Sequence, residues 1–204
     1  MSAAPRVWTV GHSNHSAADF VGLLEECGIE VLADVRSHPY SKYASHFSQA
    51  PLRKWLSEAG IHYLYLGHEL GGRPPEPELY DPDDHVRYGE LAATPRFGAG
   101  LDRLRAAAAE RRVAMMCSEE DPSSCHRRLL VGRAMLEQDP ASWVTHIRGD
   151  GSVVDEVDLA RALGGFQQLA LFKEAEPWRS ARSASPSTQQ RVSSGSSGTR
   201  ASHS

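Results

Sequence analysis

The chain has 204 residues, of which 40% are hydrophobic and 24% are charged, and its formal net charge is −4. These values are typical of one globular domain with a substantial core, and they argue against a broad basic surface for nucleic acid or membranes. No signal peptide is apparent, and no apolar run reaches the roughly 18 residues that a membrane-spanning helix requires. We therefore expect a soluble, cytoplasmic protein with no membrane partner, whose three cysteines are reduced thiols.

The N-terminal part of the chain alternates short apolar runs with helical patterns. Ser16 is placed to cap the first helix, whose apolar residues recur at helical spacing. Glycines mark the ends of the first two helices. The predicted elements are strands at 6–11, 29–35 and 61–66 and helices that end at Gly28 and Gly60.

The same alternation continues after a loop at 71–84 that is rich in glycine, proline and acidic residues. Thr94 as cap and Pro95 as first residue mark the start of a long helix. The other predicted elements are helices at 85–92 and 124–137, strands at 112–116 and 143–147, and a short edge strand at 153–154.

This order of strands and helices predicts a three-layer α/β fold, with a mostly parallel sheet of about five strands and helices on both faces. We place this single domain at residues 5–173. Apolar residues nearly vanish from Glu176 onward, where serine, arginine, glycine and glutamine dominate. We therefore expect residues 174–204 to form a disordered tail, because they bury too little surface to offset the entropy of ordering.

Parallel sheets bind ligands at the carboxyl ends of their strands, so the residues that follow the strands form the candidate site. These residues are rich in groups that transfer protons, bind anions or act as nucleophiles. They are His12 and Asn14 after the first strand, Asp34 at the end of the second strand with Arg36 and Tyr40 after it, Arg73 after the third, Cys117 and Glu119 after the fourth, and Cys125, His126 and Arg127 at the start of the next helix.

Cys125 is the first candidate for a catalytic nucleophile. It opens a helix and stands beside His126 and Arg127, a setting that lowers the pKa of a thiol and makes it reactive. Cys117, His12 and Glu119 are the other candidate catalytic groups. The alternative is structural, because cysteines are often simply buried and Glu119 can cap a turn.

The candidate binding residues favour an anionic substrate. Arg36, Arg73 and Arg127 suit phosphate or carboxylate groups, and His126 stands at a helix start, where backbone amides bind phosphate. Asn14 and Asp34 offer hydrogen bonds, and Tyr40 can stack on a base. In the structural alternative, Asn14 caps the first helix, and Asp34 and Arg36 form an ion pair that closes a strand end.

Four segments of the chain together resemble one family. They are VGHSN at 10–14, LADVRSHPYS at 32–41, LRKWLSEAGIHYLYLGHELGG at 52–72 and MCSEEDPSSCHR at 116–127. Their order is similar to that of the family catalogued as domain of unknown function 488, over about residues 7–164. The resemblance implies an α/β domain and no settled activity.

Three functions stay open at this point. The first is an enzyme that uses cysteine, histidine and arginine groups on a small anionic substrate or a nucleic acid. The second is a non-catalytic module that binds a nucleotide or a partner. The third is a metal protein with Cys117, Cys125, His126 and His12 as ligands, although the spacing of the cysteines matches no standard zinc pattern. We assign no cofactor and no metal ligand, and the pattern leaves the oligomeric state open.

Overall fold

The computed structural model describes residues 5–164 and 178–184, and its centre is one six-stranded sheet. The strands are β1 (Arg6–Gly11), β2 (Val31–Asp34), β3 (His62–Tyr65), β4 (Val113–Cys117), β5 (Trp143–Ile147) and β6 (Val153–Asp155). Their order in the sheet is β3-β2-β4-β1-β5-β6. All neighbours are parallel except β6, which runs antiparallel to β5. The prediction of an α/β fold with a mostly parallel sheet is confirmed, and the predicted edge strand is β6.

Helices connect the strands as the alternating pattern predicted. They are α1 (Ala17–Glu26), α2 (Gln49–Glu58), α3 (Gly67–Leu70), α4 (Tyr88–Ala92), α5 (Pro95–Glu110), α6 (Arg133–Gln138) and α7 (Glu156–Ala162). The predicted caps of α1 and α5 are present, because Ser16 and Thr94 accept hydrogen bonds from backbone amides of their own helices. Within the described residues, none of these helices has the length and apolar character needed to cross a membrane.

Alternate residues of the strands belong to two separate apolar clusters. Val7 and Met115 pack in one cluster together with residues of α5 and α6. Val10 and Met116 pack in the other, with residues of α1 and α2. Because side chains of a strand point alternately to the two faces of a sheet, each face has its own core. Burying one large apolar side chain contributes roughly 1.5–3 kcal/mol, so these two clusters hold the sheet in place.

The carboxyl ends of β1 and β4 lie side by side, in register from Val7 with Val113 to Gly11 with Cys117. The loop that follows β4 crosses directly over Gly11. A Cβ atom at this position would lie 1.8 Å from the carbonyl oxygen of Glu119. Only glycine allows this close approach, and it brings the residues that follow both strands together.

The segment after β4 differs from the single helix predicted at 124–137. A 3₁₀ turn at Pro122–Ser124 comes first, and a π-helix at Arg127–Gly132 then continues into α6. Such a wide turn inside a helix is rare and is often found at functional sites. Here it begins directly after His126.

Residues 178–184 were predicted to be disordered, but the structure places them against the domain. The indole nitrogen of Trp178 donates a hydrogen bond to the Leu129 carbonyl at 2.7 Å. The backbone N–H of Ser180 donates to the Val86 carbonyl at 2.9 Å, and the Ser180 side chain is buried. The prediction is therefore wrong for this segment, because an indole and a few specific hydrogen bonds can offset the ordering cost that composition alone suggests.

The rest of the predicted tail, at 174–177 and 185–204, lies outside the described residues, as does the predicted domain end at residue 173. We call residues 178–184 the C-terminal strap.

Replacing Trp178 with alanine tests whether the strap is docked. We expect the substitution to lower the free energy of unfolding by about 2 kcal/mol, because it removes a half-buried indole and leaves the Leu129 carbonyl without its partner. Urea unfolding followed by circular dichroism measures the change.

The matched control is Trp55→Ala on the exposed side of α2, where 43% of the residue is accessible and the loss should be smaller. A Trp178→Ala variant as stable as the wild type would show that the strap does not dock.

Candidate functional site

A cavity of about 330 Å³ opens at the carboxyl edge of the sheet. Six of the predicted site residues line it, and five do not. The six that line it are Arg36, Tyr40, Arg73, Cys117, Glu119 and His126. Residues 180–184 of the strap are among the other lining residues. His12, Asn14, Asp34, Cys125 and Arg127 lie outside the lining.

Arg36 is held at the floor of the cavity by a buried ion pair. The Asp34 carboxylate accepts hydrogen bonds from Nε of Arg36 at 2.9 Å and from Nη2 at 2.6 Å. Nη2 also donates to the Phe47 carbonyl, at 2.9 Å. A fourth contact joins Nη1 to Nε2 of His12, at 3.2 Å. An arginine has five N–H donors, so this arrangement leaves one N–H of Nη1 for a ligand.

Asp34 itself orients Arg36 and makes no contact with the cavity, because it is 0% exposed. The Tyr63 hydroxyl completes its surroundings by donating to Oδ2 at 2.8 Å. Asp34 was predicted to contact the substrate, but its position supports Arg36 instead. No local sequence pattern indicates this polar role of Tyr63, which lies on β3.

His12 faces Arg36 and not the cavity. Its Nε2 is the atom nearest to Arg36, and its Nδ1 lies 3.1 Å from the Ser13 carbonyl. The ring also stacks on Phe47 at 4.3 Å between centroids. Because an arginine only donates, His12 is neutral, with its proton on Nδ1 and the Nε2 lone pair facing the guanidinium. This arrangement makes His12 a positioning residue for Arg36.

Cys117 and His126 form a thiol–imidazole pair on the cavity wall. The sulfur of Cys117 lies 3.4 Å from Nδ1 of His126. The other ring nitrogen, Nε2, lies 2.9 Å from the Val35 carbonyl, to which it donates. That bond keeps a proton on Nε2, so Nδ1 is free to exchange a proton with the thiol. Gly72 makes room for the ring, since a Cβ there would lie 2.6 Å from Cγ of His126.

Charges around this pair favour the protonated imidazole. Burial alone would lower the pKa of His126, but contacts with the Cys125 sulfur, the Val35 carbonyl and the Glu119 carboxylate raise it above the ordinary value. Glu119 lies 3.5 Å from the Cys117 sulfur and is also on the cavity wall. Burial opposes ionisation of Glu119, yet a hydrogen bond from Cys125 and the nearby His126 lower its pKa.

Cys125 does not have the activated thiol that the sequence predicted. It is 1% exposed, and burial, together with the neighbouring Cys117, raises its pKa well above the usual thiol value. The prediction relied on the helix start and on adjacent basic residues. In the structure this side chain is turned away from solvent, and desolvation outweighs the favourable charges.

Arg127 does not line the cavity. Its guanidinium is completely buried, donates from Nε to the Thr9 hydroxyl at 3.3 Å, and donates from Nη2 to the Glu120 carbonyl at 2.6 Å. It therefore clamps the loop after β4 onto β1. Asn14 is exposed and lies outside the cavity lining, so its position does not support the predicted contact with substrate.

Three atoms in this region are arranged so that they could hold a metal ion. The sulfurs of Cys117 and Cys125 and Nδ1 of His126 lie within 4.8 Å of one another. The bond from Nε2 of His126 to a backbone carbonyl is the outer contact that metal-binding histidines usually make. His12, the predicted fourth ligand, faces Arg36 instead.

Comparison with known proteins gives a family and no further relative. A family model described as "Domain of unknown function DUF488" matches residues 16–134. The matched region contains Arg36, Arg73, Cys117 and His126, and it begins after His12. No curated protein and no solved structure matches the chain.

The pH dependence of stability tests the contact between His12 and Arg36. Burial and the Arg36 guanidinium lower the pKa of His12 from 6.5 to about 4. When the pH falls from 6.5 to 4, the unfolded chain binds a proton at His12 that the folded chain does not bind. The stabilisation from His12 is therefore complete above pH 6.5 and is lost as the pH falls through this window.

We expect the wild type to exceed His12→Gln in unfolding free energy by more at about pH 7.5 than at about pH 5. Urea unfolding of both proteins at the two pH values measures this difference. Groups that titrate in the same way in both proteins contribute equally to the two free energies and drop out of it. A difference that does not change with pH would contradict a neutral, buried His12.

Proposed function

The chain belongs to the domain of unknown function DUF488 family, and we propose that it is an enzyme in which Cys117 is the nucleophile and the substrate is an anion. The observation that carries the proposal is the 3.4 Å contact between the Cys117 sulfur and Nδ1 of His126, on the wall of a cavity that also presents Arg36. Thiol nucleophiles need such a neighbouring base, and anionic substrates need such a cation.

In the proposed reaction, His126 takes the proton of the Cys117 thiol onto Nδ1. The thiolate then forms a bond from sulfur to the electrophilic atom of the substrate, and the bond to the leaving group breaks. The proton on Nδ1 passes to that leaving group. Water next attacks the sulfur-linked intermediate, gives its proton back to His126 and releases Cys117 as thiolate. Glu119 supports the imidazolium by its negative charge.

The arginines define the class of substrate. Arg36 offers one remaining N–H at the cavity floor, and Arg73 is exposed where it lines the cavity. Tyr40 is 72% exposed and also lines the cavity, where its ring can stack on a base. Phosphate groups match the arginines, and a base matches Tyr40, so a nucleotide or a nucleic-acid end is the substrate class that we propose.

Selective alkylation tests the nucleophile. At about pH 7 we expect iodoacetamide to modify Cys117 faster than Cys125, because only Cys117 lines the cavity. We expect His126→Ala to slow the modification of Cys117 by about tenfold, since an unassisted thiol is only a few per cent thiolate at this pH. Peptide mass spectrometry reads the rate at each cysteine.

Cys27 at the end of α1 is an internal control, because it does not line this cavity and should react equally in both proteins. A Cys117 that reacts at the same rate with and without His126 would contradict the proposal. The non-catalytic binding module would then be the better explanation of the cavity.

Metal binding is a second candidate function, and the cluster of Cys117, Cys125 and His126 favours it. Two sulfurs and one imidazole nitrogen are the donor types that zinc prefers. A zinc ion with three protein ligands and an open position supplies Lewis acidity and lowers the pKa of a bound water. Glu119, beside the Cys117 sulfur, would then serve as the acid or base.

Zinc titration separates the two candidates. A metal site predicts that the wild type binds one Zn²⁺ per chain and that Cys125→Ser loses this binding, because three protein ligands become two. Calorimetry with Zn²⁺ measures the stoichiometry, and Cys27→Ser is the matched control. Equal zinc uptake by the Cys125→Ser variant and the wild type would rule out this cluster as the metal site.

A further inference from the structure

The C-terminal strap forms part of the cavity wall. Residues 180–184 line the same cavity as Arg36 and Cys117, although they are far from both along the chain. The strap also lies outside the region that the family model matches, at residues 16–134. It is therefore a part of the site that the strand-end pattern does not include.

Specific contacts hold the strap at both of its ends. At the start, the Trp178 indole bonds to the Leu129 carbonyl and stacks under the Arg133 guanidinium at 4.3 Å. At the end, the N–H of Ala184 donates to the Asp84 carbonyl at 2.7 Å. The path between these anchors is therefore determined.

Ser180 anchors the middle of the strap and shapes the turn that carries Arg182. Its hydroxyl accepts a hydrogen bond from the Val86 N–H at 2.9 Å and donates to the Arg182 carbonyl at 2.7 Å. Its own carbonyl lies 2.7 Å from Nδ1 of His85. These bonds hold the backbone of Arg182 beside the cavity.

Arg182 adds a third arginine to the cavity wall. Its side chain is exposed, and among the residues that the structure describes its guanidinium has no hydrogen bond or ion pair. Arg73 is likewise exposed, whereas Arg36 is only 4% exposed and lies at the floor. Glu119 is the one acidic residue among the described lining residues. The cavity wall thus presents one buried guanidinium and two exposed ones.

We propose that the strap is a substrate-binding element, and that Arg182 binds the outer phosphate of a ligand whose inner phosphate contacts Arg36. A buried arginine and an exposed arginine on the wall of a cavity of about 330 Å³ fit a diphosphate group better than a single phosphate. The inference deepens the proposed function because it names the ligand class of the same cavity. It does not depend on the thiol reaction.

Calorimetric titration with inorganic pyrophosphate tests this inference in the full-length protein. We expect the wild type to bind pyrophosphate more tightly than orthophosphate. Arg182→Ala should raise the Kd for pyrophosphate by roughly tenfold, the effect of losing one charge-assisted hydrogen bond. Arg182→Lys should recover part of that loss, because it keeps the charge but not the forked geometry.

Ser180→Ala should also raise the Kd for pyrophosphate. The substitution changes no charge, but it removes the hydrogen bonds that hold the turn carrying Arg182. The control is Lys54→Ala on α2, a residue that does not line the cavity and should leave the Kd unchanged. The inference is overturned if Arg182→Ala binds pyrophosphate like the wild type, or if the wild type does not bind it. The titration measures binding and involves no reaction of a thiol. A failure of the proposed thiol reaction would instead appear in the alkylation rate of Cys117.

Discussion

The buried ion pair between Asp34 and Arg36 is the interaction on which the cavity depends. Removing a guanidinium from water is costly unless its donors are satisfied, and here a carboxylate, a carbonyl and an imidazole take four of them. Asp34 is in turn held by Tyr63 of the neighbouring strand. If Asp34 were lost, a buried positive charge would remain unpaired. Burying this ion pair by itself costs stability. It also holds a positive charge at a defined position in the site.

The pair of Cys117 and His126 lies at the same edge of the sheet, and its two residues come from different elements of the fold. Cys117 ends β4, whereas His126 precedes the π-helix and is fixed by the Val35 carbonyl, directly after β2. Arg127 holds the intervening loop against β1, and Gly11 lets that loop cross closely. Cys117 at the end of β4, Arg36 just after β2 and His126 in the loop after β4 thus meet at one edge of the sheet.

The sequence predicted the sheet and the edge at which Arg36 and Cys117 meet, because both follow from hydrophobic periodicity and from the order of strands and helices. The sequence could not show which cysteine faces the cavity. Local charges favoured Cys125, whereas in the structure burial raises the pKa of its thiol. Nor could it predict the docking of Trp178 and Ser180. Their partners lie 49 and 94 residues away in the chain, and no local pattern encodes such contacts.

The most direct test of a reactive thiol beside an arginine is a crystal structure of the protein after reaction with iodoacetate. That reagent is itself an anion, and the group it leaves on sulfur carries a carboxylate. We predict a carboxymethyl group on the Cys117 sulfur, with its carboxylate within hydrogen-bond distance of Nη1 of Arg36. A carboxymethyl group on Cys125, or one on Cys117 with its carboxylate turned away from Arg36, would contradict this account of the site.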